Sequence, residues 1–262
     1  MTNIYHIARF THDDSIYVHF QGCNFQCKGC LLKQTIWDCH LTNDVQLKLQ
    51  AIKDVRLLSL NEFETIVKAL DVKRAVLGGG EPTLDPQLPD IIDLLDDLDI
   101  ETHLLTNGHI LNGKLVKKID DAGLSSTCMS IKAYNDDIHR FYTGQTNKSV
   151  LDNFKLLAKT QIILMVESVL IPGLIDSDEI ERIARFIASV NDSIPFRIDG
   201  FIPIHDVPWR RPSPEEVLTA TQIAKTHLKN VYYIHSGTEQ KGQVISVYPA
   251  TTRDRHFIRQ WE

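Results

Sequence analysis

Three cysteines crowd into eight positions of this chain: Cys23, Cys27 and Cys30, in the stretch Q-G-C-N-F-Q-C-K-G-C, have the spacing C-x3-C-x2-C. Thiolates this close on one loop can face a common centre. Three of them on a four-iron cube leave one iron without a protein ligand, open to a small molecule. The same spacing suits a structural zinc ion completed by Cys39 or His40. Five cysteines clustered in this way do not resemble the even, dispersed set of a secreted disulfide scaffold, so metal ligation in a reducing compartment is the first expectation.

Further polar groups follow apolar runs downstream: G-G-G-E-P-T-L at 78–84, L-L-T-N-G at 104–108, S-I-K-A-Y-N-D-D-I-H at 130–139, I-P-G at 171–173 and I-P-I-H at 202–205. Taken singly, each has a plain structural reading. Glycines 78 to 80 suit a tight strand-to-helix turn, Asn107-Gly108 is a common turn dipeptide, Lys132 reads as a solvated charge and His205 as a satisfied structural group. Cys39 and Cys128 read as ordinary buried small side chains. The segment D-V-P-W-R-R-P at 206–212 is either a proline-bounded turn or a surface that meets an acidic partner through Trp209, Arg210 and Arg211.

The elements that must position these groups alternate. Strand-like runs fall at residues 15–20, 74–77, 101–105, 126–131, 161–169, 196–204 and 231–234. Helical patterns fall between them at 60–70, 89–98, 113–122, 150–159, 178–190 and 214–228, the first opened by a capping box of Ser59 and Glu62. Residues 45–55 read as an extra helix and 237–262 as an irregular tail. The alternation implies a parallel sheet with helices outside, doubly wound or curled into a full or partial barrel, with its ligand site at the strands' C-terminal ends. The polar motifs all fall at such ends.

A chain of 262 residues, 43% hydrophobic, can bury one barrel-sized core. Its formal charge of -6 argues against nucleic acid or an anionic membrane as partner. The N-terminal M-T-N-I-Y-H-I-A-R-F-T-H-D-D lacks the order of a signal peptide, and no run approaches a membrane span; a cytoplasmic protein is expected.

In this order, the motifs resemble those of the radical S-adenosylmethionine superfamily, and especially the activating enzymes of glycyl radical enzymes. The loop G-C-N-F-Q-C-K-G-C-L-L-K-Q-T-I-W is similar to that of anaerobic ribonucleotide reductase activases, with Gly29 before the last cysteine and Trp37 beyond it. Residues 78–84 resemble the family's Gly-Gly-Glu motif, and 104–108 and 130–139 resemble successive strand ends of the pyruvate formate-lyase activases. The match runs from about residue 15 to about 210.

The resemblance implies an α/β fold, a partial (β/α)6 TIM-like barrel forming a single domain over residues 1–236, with the tail 237–262 packing on or near it. It implies an oxygen-sensitive [4Fe-4S] cluster on Cys23, Cys27 and Cys30 whose open iron chelates the methionyl amino and carboxylate groups. Reductive cleavage would then yield a 5′-deoxyadenosyl radical that takes hydrogen from a substrate. Gly79, Gly80 and Glu81 would hold the methionyl ammonium, and Lys132 the carboxylate. Thr106 and Asn107 would hydrogen-bond nearby, His205 would reach the ribose, and Gly29 and Leu31 would run beside the adenine.

Departures from the pattern bear on the substrate. Leu105 and Ser130 stand where the pyruvate formate-lyase activases carry aspartates that bind a monovalent cation, and Glu167 where they carry an arginine. An inward Glu167 would need Arg197 or Lys132 as partner. Gly29 replaces the usual aromatic residue. The favoured substrate is a glycine or other residue of a partner protein, since the barrel carries no added cysteine-rich domain over its mouth; a flavodoxin or ferredoxin would supply the electron. The rivals are a small-molecule radical synthase or mutase, and a zinc- or cluster-stabilised binding or redox-sensing module without turnover.

Overall fold

The computed structural model describes residues 1–235 and 241–251. The chain opens on an antiparallel hairpin of β1 (Ile4–Phe10) and β2 (Ser15–Phe20), turned at Asp14 with φ 52°. From β2 the sheet grows by parallel addition of β3 (Arg74–Gly79), β4 (Glu101–Thr106), β5 (Ser126–Ser130), β6 (Ile163–Leu170), β7 (Phe196–Gly200) and β8 (Val231–Ile234). A last strand, β9 (Val244–Tyr248), pairs antiparallel with β1, giving the order β8-β7-β6-β5-β4-β3-β2-β1-β9. Among the described residues the sheet is nine strands wide and its two outer strands do not pair, so the barrel is partial.

Side-chain alternation sets the two faces. Ile16, Val18 and Phe20 of β2 are buried in the main core, whereas Tyr17 and His19 point to the other side of the sheet. The helices α2 (Leu60–Lys68), α3 (Leu88–Asp97), α4 (Gly113–Asp121), α6 (Lys148–Leu157), α7 (Ser177–Val190) and α8 (Pro214–Lys225) lie in the chain between the parallel strands and bring Phe63, Ile91, Val116, Phe154, Ile183 and Val217 to that core. The other face is the barrel interior. The expected α/β architecture is therefore present, with helices opened as anticipated; α2 begins at the Ser59–Glu62 capping box.

Besides β1, which no expected strand covers, three elements depart from the expectations. α1 (Asn43–Gln50) is shorter than residues 45–55, because Leu49 is its one buried side chain and little packing sustains a longer helix. α5 (Asp136–Thr143) was not anticipated, although the Asn135 side chain caps it by accepting from Asp137 N and Ile138 N and Gly144 ends it at φ 79°. The region 237–262 is not irregular throughout: β9 joins a second core of Tyr5, Ala8, Trp37, Leu41, Leu49 and Val244. Residues 236–240 and 252–262 lie outside the described residues. Among the described residues, no helix is long and apolar enough to cross a membrane.

Candidate active site

Because β2 to β7 run parallel in spatial order, the segments that follow them share one rim. The cysteine loop leaves β2 at Phe20 and is tied down on several sides. Gln26 N and Lys28 N donate to Thr143 O and Tyr142 O at 2.8 and 2.9 Å, and Glu81 N donates to Gly22 O at 2.8 Å. Phe25 is buried with its ring against the edges of His109 and His139. Cys23 is exposed, and Cys27 and Cys30 are half-buried. Cys23 Sγ accepts from Phe25 N at 3.4 Å and from Asn107 Nδ2 at 3.8 Å.

The donor set discriminates between one ion and a cluster. A tetrahedral ion at about 2.3 Å from each sulfur needs thiolates about 3.8 Å apart. Among the described residues the one triad of ligand atoms all within 4.8 Å of one another is Asp38, Cys39 and His40, so the three loop thiols stand too wide for a single zinc. Neither Cys39 nor His40 joins the loop thiols in such a triad among the described residues. Burial pushes the Cys27 thiol up to about 11, against the Lys132 ammonium, and burial raises Cys23 as well, with Glu81 adding to it.

Gly79, Gly80 and Glu81 leave β3 directly against the cysteine loop. Gly80 N donates to Phe20 O at 2.9 Å, and a Cβ at position 80 would lie 2.1 Å from Gly22 O, so only glycine allows this backbone approach. Glu81 is buried. Its carboxylate accepts from Thr83 N and Oγ1, from Thr106 Oγ1 at 2.7 Å and from Asn107 N at 2.7 Å. These donors are all neutral, so burial prevails and holds the carboxyl above its ordinary range. Asn107 also donates to Asn24 Oδ1 at 2.8 Å, joining the β4 end to the cysteine loop.

Lys132 follows β5, and its Nζ lies 3.9 Å from Glu167 Oε1. Burial works against its ammonium, yet Glu167, Cys27 and Asp199 hold it above its ordinary value. Glu167 does point inward. It stands in register with Arg197, which pairs with it, and accepts from Ser130. Burial would raise the Glu167 carboxyl; Lys132 and Arg197 outweigh it and hold it low. Arg197 in turn bonds Asp199 at 2.9 and 3.0 Å. The interior thus contains two cations and two carboxylates in one chain of contacts.

His205 sits apart from this group. It is exposed and lines a cleft of about 280 Å³ with Lys28, Lys33 and Gln34 of the cysteine loop. Leu31, 38% exposed, opens a 3-10 turn beside the last cysteine. Gly29 has a packing reason: a Cβ there would meet Phe201 Cε2 at 2.6 Å and Tyr142 Oη at 2.9 Å. Those rings fill the space that a side chain at 29 would occupy. Gly29→Ala is expected to cost about 2 kcal/mol of stability through overpacking, measured as a lower unfolding temperature, and Phe201→Leu in the same chain should recover part of it.

The radical SAM superfamily profile matches residues 17–187, from β2 into α7 and therefore across the cysteine loop and the ends of β3 to β6. The chain belongs to the radical S-adenosylmethionine superfamily. As a radical S-adenosylmethionine protein it is an enzyme, of a family that uses an iron–sulfur cluster and S-adenosylmethionine. It is 31% identical over 86% of its length to a Methanocaldococcus jannaschii protein provisionally named a glycyl-radical enzyme activating enzyme, covering 82% of that protein. It is 24% identical to the pyruvate formate-lyase-activating enzyme of Streptococcus mutans, covering 82% of this chain and 86% of that one. A GTP 3′,8-cyclase of Aliarcobacter butzleri is 26% identical over 62% of this chain and 47% of its own. Streptococcus suis SuiB bound to S-adenosylmethionine has the same fold, with TM-score 0.64 and 13% identity over 82% of this chain and 49% of SuiB.

Some groups of this radical S-adenosylmethionine enzyme escaped sequence reasoning. Asn24, which bonds Asn107, carried no signal beyond lying between two cysteines. His19 and Asp38 flank the cysteine loop and join at 3.1 Å, closing its two ends together. Cys39, expected to be buried, is exposed, because it projects from the surface beside buried Trp37 and Asp38.

Proposed function

We propose that this enzyme cleaves S-adenosylmethionine reductively on a [4Fe-4S] cluster held by Cys23, Cys27 and Cys30, and that the hydrogen it abstracts comes from a residue of a partner protein. The observation that carries the reading is the charge placement around one loop. The buried Glu81 carboxylate accepts from Asn107 N, and the Asn107 amide reaches Cys23 Sγ at 3.8 Å and Asn24 Oδ1 at 2.8 Å, while the Lys132 ammonium faces Cys27. A carboxylate and an ammonium therefore stand beside the same loop, as the ammonium and carboxylate of a methionine moiety require.

When bound, the cluster supplies one electron to the sulfonium, and the C5′–S bond breaks to give methionine and a 5′-deoxyadenosyl radical. The protein's own groups supply placement. Glu81, surrounded by neutral donors, gains a cation when the ammonium arrives; Gly79 and Gly80 let the backbone approach; Thr106 and Asn107 hold the Glu81 carboxylate and orient it. Lys132 meets the carboxylate, with Glu167 keeping it charged. Gly29 and Leu31 line the adenine side, and His205, across its cleft from Lys28 and Lys33, reaches toward the ribose.

A protein substrate is supported by the apolar rim, where Leu31, Ile36, Tyr134, Phe141 and Ile202 are 38 to 55% exposed, and by the activating-enzyme relatives. In this reading a flavodoxin or ferredoxin is the electron donor. A small-molecule substrate is the second reading, supported by the cyclase relative.

Anaerobic incubation of iron-reconstituted protein with S-adenosylmethionine and dithionite is expected to yield 5′-deoxyadenosine. None formed by a chain with an intact cluster, with or without cell extract, would reject the reading. In extract from deuterated cells, deuterium should reach 5′-deoxyadenosine from the macromolecular fraction; transfer from the small-molecule fraction alone would favour the second reading.

A further inference from the structure

Beyond the cysteine loop, three consecutive side chains of different chemistry turn toward one point. Asp38 Oδ1 lies 3.0 Å from His40 Nδ1, Cys39 Sγ lies 3.7 Å from His40 Nδ1, and all three ligand atoms fall within 4.8 Å of one another. For a tetrahedral zinc ion with ligands at about 2.0 to 2.3 Å, neighbouring nitrogen and oxygen ligands stand about 3.3 Å apart and nitrogen and sulfur about 3.6 Å. The Asp38–His40 and Cys39–His40 separations are close to those edges; without an ion they are hydrogen bonds to His40 Nδ1, which a cation would replace.

We propose that Asp38, Cys39 and His40 bind a thiophilic divalent cation, zinc in the first instance, at a site separate from the cluster loop, with water in the fourth position. The carboxylate is set from below: Asp38 is 3% exposed, and its second oxygen is held by His19 Nε2 at 3.1 Å. That contact has the form of an outer partner that orients a metal ligand. Gln46 Nε2 fixes the same turn by donating to Asp38 O at 2.6 Å, and the His40 ring packs edge-on against Phe10 with centroids 5.4 Å apart. Cys39 and His40 are exposed, which leaves the ion a path from solvent. Since Asp38 binds His19 at the end of β2, an ion here would pin the returning end of the cluster loop to the strand it left. The site does not depend on the reaction proposed above.

The test is elemental analysis of the cluster-loaded full chain, equilibrated anaerobically with zinc chloride and desalted. One zinc per chain is expected beyond the iron. Cys39→Ser, at an exposed position that leaves the fold intact, should remove it. His19→Gln, which keeps all three ligands, should weaken zinc by about tenfold, while the chain with Cys23, Cys27 and Cys30 all replaced by Ala should retain it. Zinc in the unsubstituted chain no higher than in Cys39→Ser overturns the proposal. So does zinc that disappears with the three loop cysteines, which would place it on that loop.

Discussion

Replacement of Cys23, Cys27 or Cys30 singly by Ala is expected to lower 5′-deoxyadenosine formation by more than about three orders of magnitude, a barrier increase above about 4 kcal/mol. The size follows from the loop's geometry. On the proposed assignment the three thiols of one loop are the cluster's protein ligands, so removing one would leave two, on a surface that already exposes Cys23 to solvent. Cys39→Ala should retain cleavage because its thiol belongs to a different triad. Cys128→Ala should also retain it, at a cost of about 1 kcal/mol in stability, since that thiol is buried in the interior 3.7 Å from Glu167 and is not part of the loop. Liquid chromatography of 5′-deoxyadenosine under dithionite, with iron content measured on each variant, checks all five. Full activity in Cys27→Ala would sink the cluster assignment.

The second large effect belongs to Arg197. Its guanidinium is paired with Glu167 and Asp199, all three side chains being less than a third exposed. Arg197→Ala leaves two neighbouring carboxylates with Lys132 as their one cationic partner among the described residues, and losing one partner of a buried pair costs about 3 to 5 kcal/mol, here nearer the low end because the network keeps some solvent contact. At about 2 to 4 °C per kcal/mol for a chain of this size, the unfolding temperature should drop by roughly 10 °C. The pH dependence has a definite sign. Glu167 is held low by the cations, so its contribution is present at neutral pH and lost as pH falls through its folded pKa, while burial already raises Asp199. Without Arg197 both carboxyls take up protons more readily, and protonation removes the repulsion. The deficit of Arg197→Ala against the unsubstituted chain should therefore be largest near pH 7 and shrink toward pH 5 in paired thermal melts. A deficit that grows on acidification would overturn this account of the network.

Much of the site was legible because its signals are local. The C-x3-C-x2-C spacing, the glycines before Glu81 and the capping box at Ser59 each act within a few residues, and alternating periodicity placed them at strand ends. The β1–β9 edge was not legible: Ile7 pairs with Tyr248 across most of the chain length, and neither segment has a helix between it and a parallel neighbour to announce it. Glu167 illustrates a different gap. The sequence offered Arg197 or Lys132 as its partner if it turned inward; only the fold shows that it does, and that it meets both, Arg197 on the next strand and Lys132 after β5.

Glu81 shows the boundary most sharply. The motif around it already names the carboxyl and the glycines that admit a ligand's backbone approach, since these are properties of residue types at fixed spacing. That the carboxyl is buried, held by Thr106 and Asn107 from the next strand, and left with neutral donors depends on groups about 25 residues away. The candidate ligands are therefore written in short-range spacing, because ligand geometry demands it, whereas the reaction class rests on the resemblance of the motifs taken in order. Charge compensation, the width between the thiols and the separation of the Asp38–Cys39–His40 triad from them arise only on folding, because strand register and burial bring together groups whose distance along the chain carries no information about their contact.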